Sequence, residues 1–139
     1  MGAGDREQGG PDVVSVLVVD DQDPFREAMR ELVEATDGFG LIGEAASGEQ
    51  ALAAAADLRP QLVLMDKRMP GMGGDEASRL ITRRHPNVVV VIVSVEEPSA
   101  RVLESSGAAA VIRKQDLSPR RLRDLWREHG REVEGDSRD

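Results

Sequence analysis

Along the chain, short apolar runs alternate five times with stretches in which apolar residues recur every third or fourth position. The runs are Val13–Val19, Phe39–Ala45, Leu62–Met65, Val88–Val93 and Ala109–Ile112. Their length and β-branched content predict strands, most of them buried on both faces. The stretches between them carry helix signals. Asp23 and Pro24 open the first as cap and first helical residue, and Phe25, Ala28, Met29, Leu32 and Val33 form one apolar stripe. Ser47 and Gln50 make a capping box for an Ala-rich helix that Pro60 stops. Ala77, Leu80 and Ile81 mark a third helix closed by His85-Pro86, and a short fourth spans Ser99–Ser106 before Gly107. Ser118-Pro119 starts the last, with Leu122, Leu125 and Trp126 facing inward and Leu117 placed to staple against Leu122. Five such repeats predict a doubly wound parallel α/β sheet with helices on both faces.

The polar residues that break this pattern sit just after strands. Asp20 and Asp21 follow the first, Asp66 the third, Ser94 the fourth and Lys114 the fifth. In a right-handed doubly wound sheet all strands point one way, so these residues share one edge of the molecule despite their separation in sequence. With Asp23 assigned to the cap, Asp20 and Asp21 are left without a structural duty. After Asp66 comes Met69-Pro-Gly-Met-Gly-Gly74, a loop whose glycines permit unusual backbone angles. Arg68 and Glu96, two residues past Asp66 and Ser94, border that edge and are read as exposed.

At 139 residues the chain holds one ordinary domain. Residues 1–12 are Gly-rich and polar and residues 129–139 are charged without periodicity, so both are expected to be disordered tails flanking a domain at 13–128. A net charge of −8 removes the electrostatic footprint of non-specific nucleic-acid binding. Arg120, Arg121 and Arg123 are expected on a solvated face. There is no Cys, hence no disulfide, thiolate nucleophile or Cys-ligated zinc, which fits a reducing compartment. The two His, His85 and His129, do not suggest a His-rich metal site, and His85 suits a helix C-terminus. The N-terminus lacks the apolar core of a signal peptide, and Arg6 stands where a myristoylation signal wants Ser or Thr. The run Val88–Val93 is too short to span a bilayer. A cytoplasmic protein with no membrane contact is expected.

Three carboxylates on one edge repel one another and call for a cation. A hard divalent ion that takes oxygen ligands, Mg²⁺ or Mn²⁺, is the expected occupant. Ser94 adds a hydroxyl donor and Lys114 a positive charge, both suited to the oxygens of a phosphoryl group. Together the set predicts phosphoryl transfer to a carboxylate, with Asp66 attacking in line and a labile acyl phosphate resulting. A dinucleotide site is excluded, because Asp20-Asp-Gln-Asp-Pro24 follows the first strand where a Gly-rich phosphate loop would stand.

Val16-Leu-Val-Val-Asp20-Asp21, Leu64-Met-Asp66-Lys-Arg-Met69-Pro70-Gly-Met, Ser94 and Gly107-Ala-Ala-Ala-Val-Ile-Arg-Lys114 together resemble the receiver domain of bacterial two-component response regulators. The resemblance covers residues 13–128, and its motifs are four in order at the spacing of strand–helix units. It implies a flavodoxin-like fold with five strands in the order 2-1-3-4-5 and five helices. It implies that Asp66 takes a phosphoryl group from a histidine kinase or phosphotransfer protein, and that Asp20, Asp21, Asp66 and the backbone carbonyl of Arg68 bind Mg²⁺ (or Mn²⁺). Ser94 and Lys114 would couple phosphorylation to a downstream protein through the face of helix 4, strand 5 and helix 5. A phosphorylation-dependent homodimer is compatible with it. The wording around Lys114-Gln-Asp-Leu-Ser-Pro is most similar to receivers that precede helix-turn-helix output domains.

Three departures stand out. No output domain follows, as in a stand-alone receiver or one excised from a longer chain. Val111 occupies the place of the usual switching Tyr or Phe. Val95 is bulkier than the usual Ala or Gly, which implies narrowed access to the site. The leading expectation is a regulatory phosphoacceptor and not an enzyme acting on external substrates. One competitor is a degenerate receiver working as a phosphorylation-independent interaction module. Another is a metal-dependent aspartyl phosphohydrolase, which would place a second carboxylate two residues after the nucleophile, where this chain has Arg68.

Overall fold

Val, Leu and Ile dominate the central runs, which are buried at every or nearly every position, while the two edge runs are only partly covered, and each run forms a strand. In the computed structural model, which describes residues 13–130, the strands are β1 (Val14–Val19), β2 (Phe39–Ala45), β3 (Leu62–Asp66), β4 (Val89–Ser94) and β5 (Ala110–Arg113). They pair in parallel in the order β2-β1-β3-β4-β5. The helices are α1 (Asp23–Glu34), α2 (Gly48–Leu58), α3 (Gly74–Arg84), α4 (Ala100–Ser106) and α5 (Pro119–His129), with a 3₁₀ turn at Lys114–Asp116. This is the flavodoxin-like doubly wound sheet. The last helix runs to His129, one residue past the domain end expected at 128. Residues 1–12 and 131–139, most of the two tails, lie outside the described residues.

Alternation along each strand divides the core in two. Leu17, Val19, Val63, Met65, Val90 and Ile92 face one side, where Ala51 and Ala55 of α2, Ala77 and Ile81 of α3 and Val102 of α4 cover them. Val16, Val18, Leu62, Leu64, Val91 and Val93 face the other, against Met29 and Val33 of α1 and Leu122 and Leu125 of α5. Continuing that period of two past the strand ends puts Asp20, Asp66 and Lys114 on the α1/α5 side and Ser94 on the other.

The helix starts follow their caps with one correction. Ser47 Oγ accepts from the Gln50 N–H at 3.0 Å, and Ser118 Oγ accepts from the Arg121 N–H at 3.0 Å. For α1 the cap position is held by Gln22 in an extended conformation, and no side chain caps it. Asp23 is already inside the helix, where its side chain points away from the first free N–H groups; it pairs with Arg26 at 2.6 Å instead. The capping duty expected of Asp23 is therefore not its own.

Candidate functional site

β3 is buried at every position and carries Asp66 to its end, 7% exposed. The chain then leaves the sheet under tight constraint. The Lys67 N–H donates to the Val93 carbonyl at 2.9 Å, and the Gly74 N–H donates to the Lys67 carbonyl at 2.8 Å. A Cβ at Gly74 would lie 2.0 Å from the Asp66 carbonyl oxygen, so only glycine lets α3 start this close to the strand end.

Asp20 is fully buried and fixed on three sides. Its N–H donates to the Ala45 carbonyl at 3.1 Å, its carbonyl accepts from Arg26 Nη1 at 2.8 Å, and its Oδ1 accepts from the Gln22 N–H at 2.9 Å. Asp20 thus has the structural duty that the sequence reading denied it. Its Oδ2 is different: among the described residues no hydrogen bond reaches this buried oxygen. Lys114 Nζ lies 3.1 Å from it and 3.2 Å from Asp66 Oδ1, a contact of charge with charge without the alignment of a hydrogen bond at Oδ2.

Asp20, Asp21 and Asp66 each present an oxygen within 4.8 Å of the others. Burial, followed by the charge on Asp20, pushes the Asp66 carboxyl above the ordinary carboxylate range, and Lys114 opposes both. A buried carboxylate oxygen without a donor, in a group of three hard oxygen ligands partly open to solvent at Asp21, fits a divalent ion such as Mg²⁺.

Ser94 is buried at the end of β4, and its Oγ accepts from the Glu96 N–H at 3.0 Å, leaving its proton free to donate. Asp66, Ser94 and Lys114 share a cleft of about 170 Å³ with Gln22, Phe25, Lys67, Arg68 and Val95. All five residues singled out from the sequence therefore meet at one edge of the sheet. The expected exposure of Arg68 and Glu96 is found, but they also pair with each other, and Lys67 Nζ reaches the same Glu96 carboxylate at 3.2 Å. Lys67 first and Arg68 second hold that carboxyl below its usual range. Two further features were missed. Phe25 places its ring 3.9 Å from Lys114 Nζ, and Glu97 pairs with Arg113 at 3.1 Å. Neither has a periodic signal, since each joins segments far apart in the chain.

Comparison with known proteins agrees with this geometry. A family model described as the response regulator receiver domain matches residues 16–126. The response regulator GacA of Pseudomonas protegens is 43% identical over 104 residues, covering 73% of this chain and 49% of that protein. The chain thus spans about half the length of such relatives. Among solved structures, a two-component response regulator of the LuxR family from Aurantimonas sp. SI85-9A1 superposes with a TM-score of 0.72 at 30% identity over 81% of each chain. The signal receiver domain of the putative response regulator NarL from Mycobacterium tuberculosis gives 0.73 at 25% identity, over 86% of this chain and 100% of that one.

Proposed function

The chain belongs to the response regulator receiver domain family, and from that premise we propose that it is a phosphoacceptor of a two-component system, with Asp66 as the residue modified. The observation that carries the proposal is the position of Asp66: nearly buried, at a strand end, 3.2 Å from the Lys114 ammonium and beside two further carboxylates. An oxygen of Asp66 attacks phosphorus in line while the P–N bond of a phosphohistidine on the kinase or phosphotransfer partner breaks and its electron pair returns to the imidazole. Lys114 neutralises charge on the transferred oxygens, and the free Ser94 proton is donated to one of them.

Asp20, Asp21, Asp66 and the backbone carbonyl of Arg68 would hold Mg²⁺ or Mn²⁺. When bound, the ion neutralises the negative oxygens that collect on the phosphoryl group. The downstream protein would read the state of the site through the face of α4, β5 and α5, and gel filtration with and without a phosphodonor would reveal a phosphorylation-dependent homodimer. Among the described residues no helix is long and apolar enough to cross a membrane, which with the net charge of −8 supports a cytoplasmic role without direct nucleic-acid contact. The domain regulates and does not turn over external substrates. The aspartyl phosphohydrolase reading needs a carboxylic acid two residues past Asp66. Arg68 stands there, and the neighbouring Glu96 is kept ionised by its pairs with Lys67 and Arg68.

Intact-mass spectrometry after phosphoramidate treatment tests the proposal. One phosphoryl adduct is expected on the wild type in Mg²⁺, none in EDTA and none on Asp66→Asn. An unmodified wild type would instead favour the phosphorylation-independent interaction module.

A further inference from the structure

Phe25 has no role in the reading above, and although it borders a groove with Met29, Leu32 and Leu117, it is not buried there. It was expected in one apolar stripe with Met29 and Val33, yet it is 42% exposed and belongs to neither buried cluster. Phe25 lies in the first turn of α1, and there it lines the cleft with Asp66, Ser94 and Lys114. Its ring faces the one cation that, among the described residues, contacts both buried carboxylates, at 3.9 Å from Lys114 Nζ to the ring centroid.

We propose that Phe25 is a positioning residue for Lys114, holding the ammonium at the mouth of the carboxylate cluster by a contact that does not use the carboxylate oxygens a divalent ion would take. A lysine side chain is a flexible four-carbon stem, and fixing its end costs rotamer entropy. The carboxylates Lys114 touches belong to the cluster that would hold the divalent ion, and a second cation there weakens their hold on the ammonium. The face of an aromatic ring attracts the ammonium and offers no oxygen ligand to a hard, strongly hydrated divalent ion. The Lys114 side chain is 17% exposed and Phe25 42% exposed, so the lysine side of the contact is largely covered and the ring side stays open to water. The inference rests on Asp66 being the phosphoacceptor, since Lys114 matters to transfer only in that case.

The test has two parts. In metal-free protein, NMR of the Lys114 ε-methylene is expected to show a ring-current shift upfield that disappears in Phe25→Leu and persists in Phe25→Trp. In Mg²⁺ with phosphoramidate, Phe25→Leu is expected to accumulate phosphoprotein about five- to tenfold more slowly, and Phe25→Trp to stay within about twofold of the wild type. The Phe25→Leu change should add nothing in a Lys114→Ala background. Methylene shifts that are the same in wild type and Phe25→Leu overturn the proposal, as does equal slowing with and without Lys114. The methylene measurement needs no phosphoryl group, so its failure is distinguishable from a failure of Asp66 to accept one.

Discussion

The two ends of the β1–β3 strand pair solve the same problem in opposite ways. At the amino ends, Ser15 and Gln61 satisfy each other: the Ser15 N–H donates to Gln61 Oε1 at 3.1 Å, and the Gln61 N–H donates to both the Ser15 carbonyl and its Oγ at 3.0 Å. At the carboxyl ends of the same strands, Asp20 and Asp66 gather negative charge in a buried place, with one oxygen left without a donor and one lysine shared between them. Neutral groups that close on one another stabilise the fold and leave nothing for a ligand. Charges that remain incompletely met weaken the fold and bind what completes them.

Removing the shared lysine should break the contrast most strongly. Lys114→Ala leaves two buried carboxylates facing each other, and a loss of about 2–3 kcal/mol is expected in metal-free protein at neutral pH. Chemical denaturation with and without millimolar Mg²⁺ checks this, since a divalent ion should return a large part of the loss. Next in size is the other end. Gln61→Ala strands the Ser15 N–H and should cost about 1–2 kcal/mol. It should leave phosphoprotein formation unchanged, and Mg²⁺ should not reduce the loss.

Asp66→Asn has the opposite sign. Because folding raises the Asp66 pKa, the native state binds its proton more tightly than the unfolded chain does. The ionised group therefore costs stability, none of it below the ordinary carboxylate range and all of it above the raised value. The asparagine variant should accordingly be more stable than the wild type near neutral pH without metal, and the gain should vanish as pH falls through that window. Thermal melts across pH in EDTA measure it. A destabilised Asp66→Asn variant would mean that Lys114 outweighs both burial and the neighbouring charge.

How much of this was legible in the sequence follows from the range of each interaction. Strand runs and helix stripes are local patterns, and the strand ends then converge by topology, which is why Asp20, Asp21, Asp66, Ser94 and Lys114 could be gathered from the chain alone. The cap of α1 was misread because Asp23 and Gln22 differ by one position, and only backbone angles tell which lies outside the helix. The hydrogen bond from the Gln22 N–H to Asp20 was hidden by the same error. Phe25 fits a helical stripe by spacing, and nothing local reveals that the end of β5 brings an ammonium to its ring. The pairing of Lys67, Arg68 and Glu96 likewise joins two loops that no periodicity connects.

The smallest effect on stability, and the finest probe of the carboxyl end, is expected from Val95→Ala. Val95 is 62% exposed, so shortening it removes little buried surface and should change stability by less than about 0.5 kcal/mol. It nevertheless lines the cleft with Asp66, Ser94 and Lys114, and the residue before it carries the hydroxyl proposed to meet the transferred group. A β-branched side chain at that rim narrows the approach of an in-line water to a phosphorylated Asp66, because its methyls cannot rotate clear without leaving the preferred rotamer. Val95→Ala should therefore speed loss of the phosphoryl group while leaving the melting curve in place. A phosphoryl half-life that matches the wild type would remove Val95 from the account and leave access to be set by the Lys67, Arg68 and Glu96 rim.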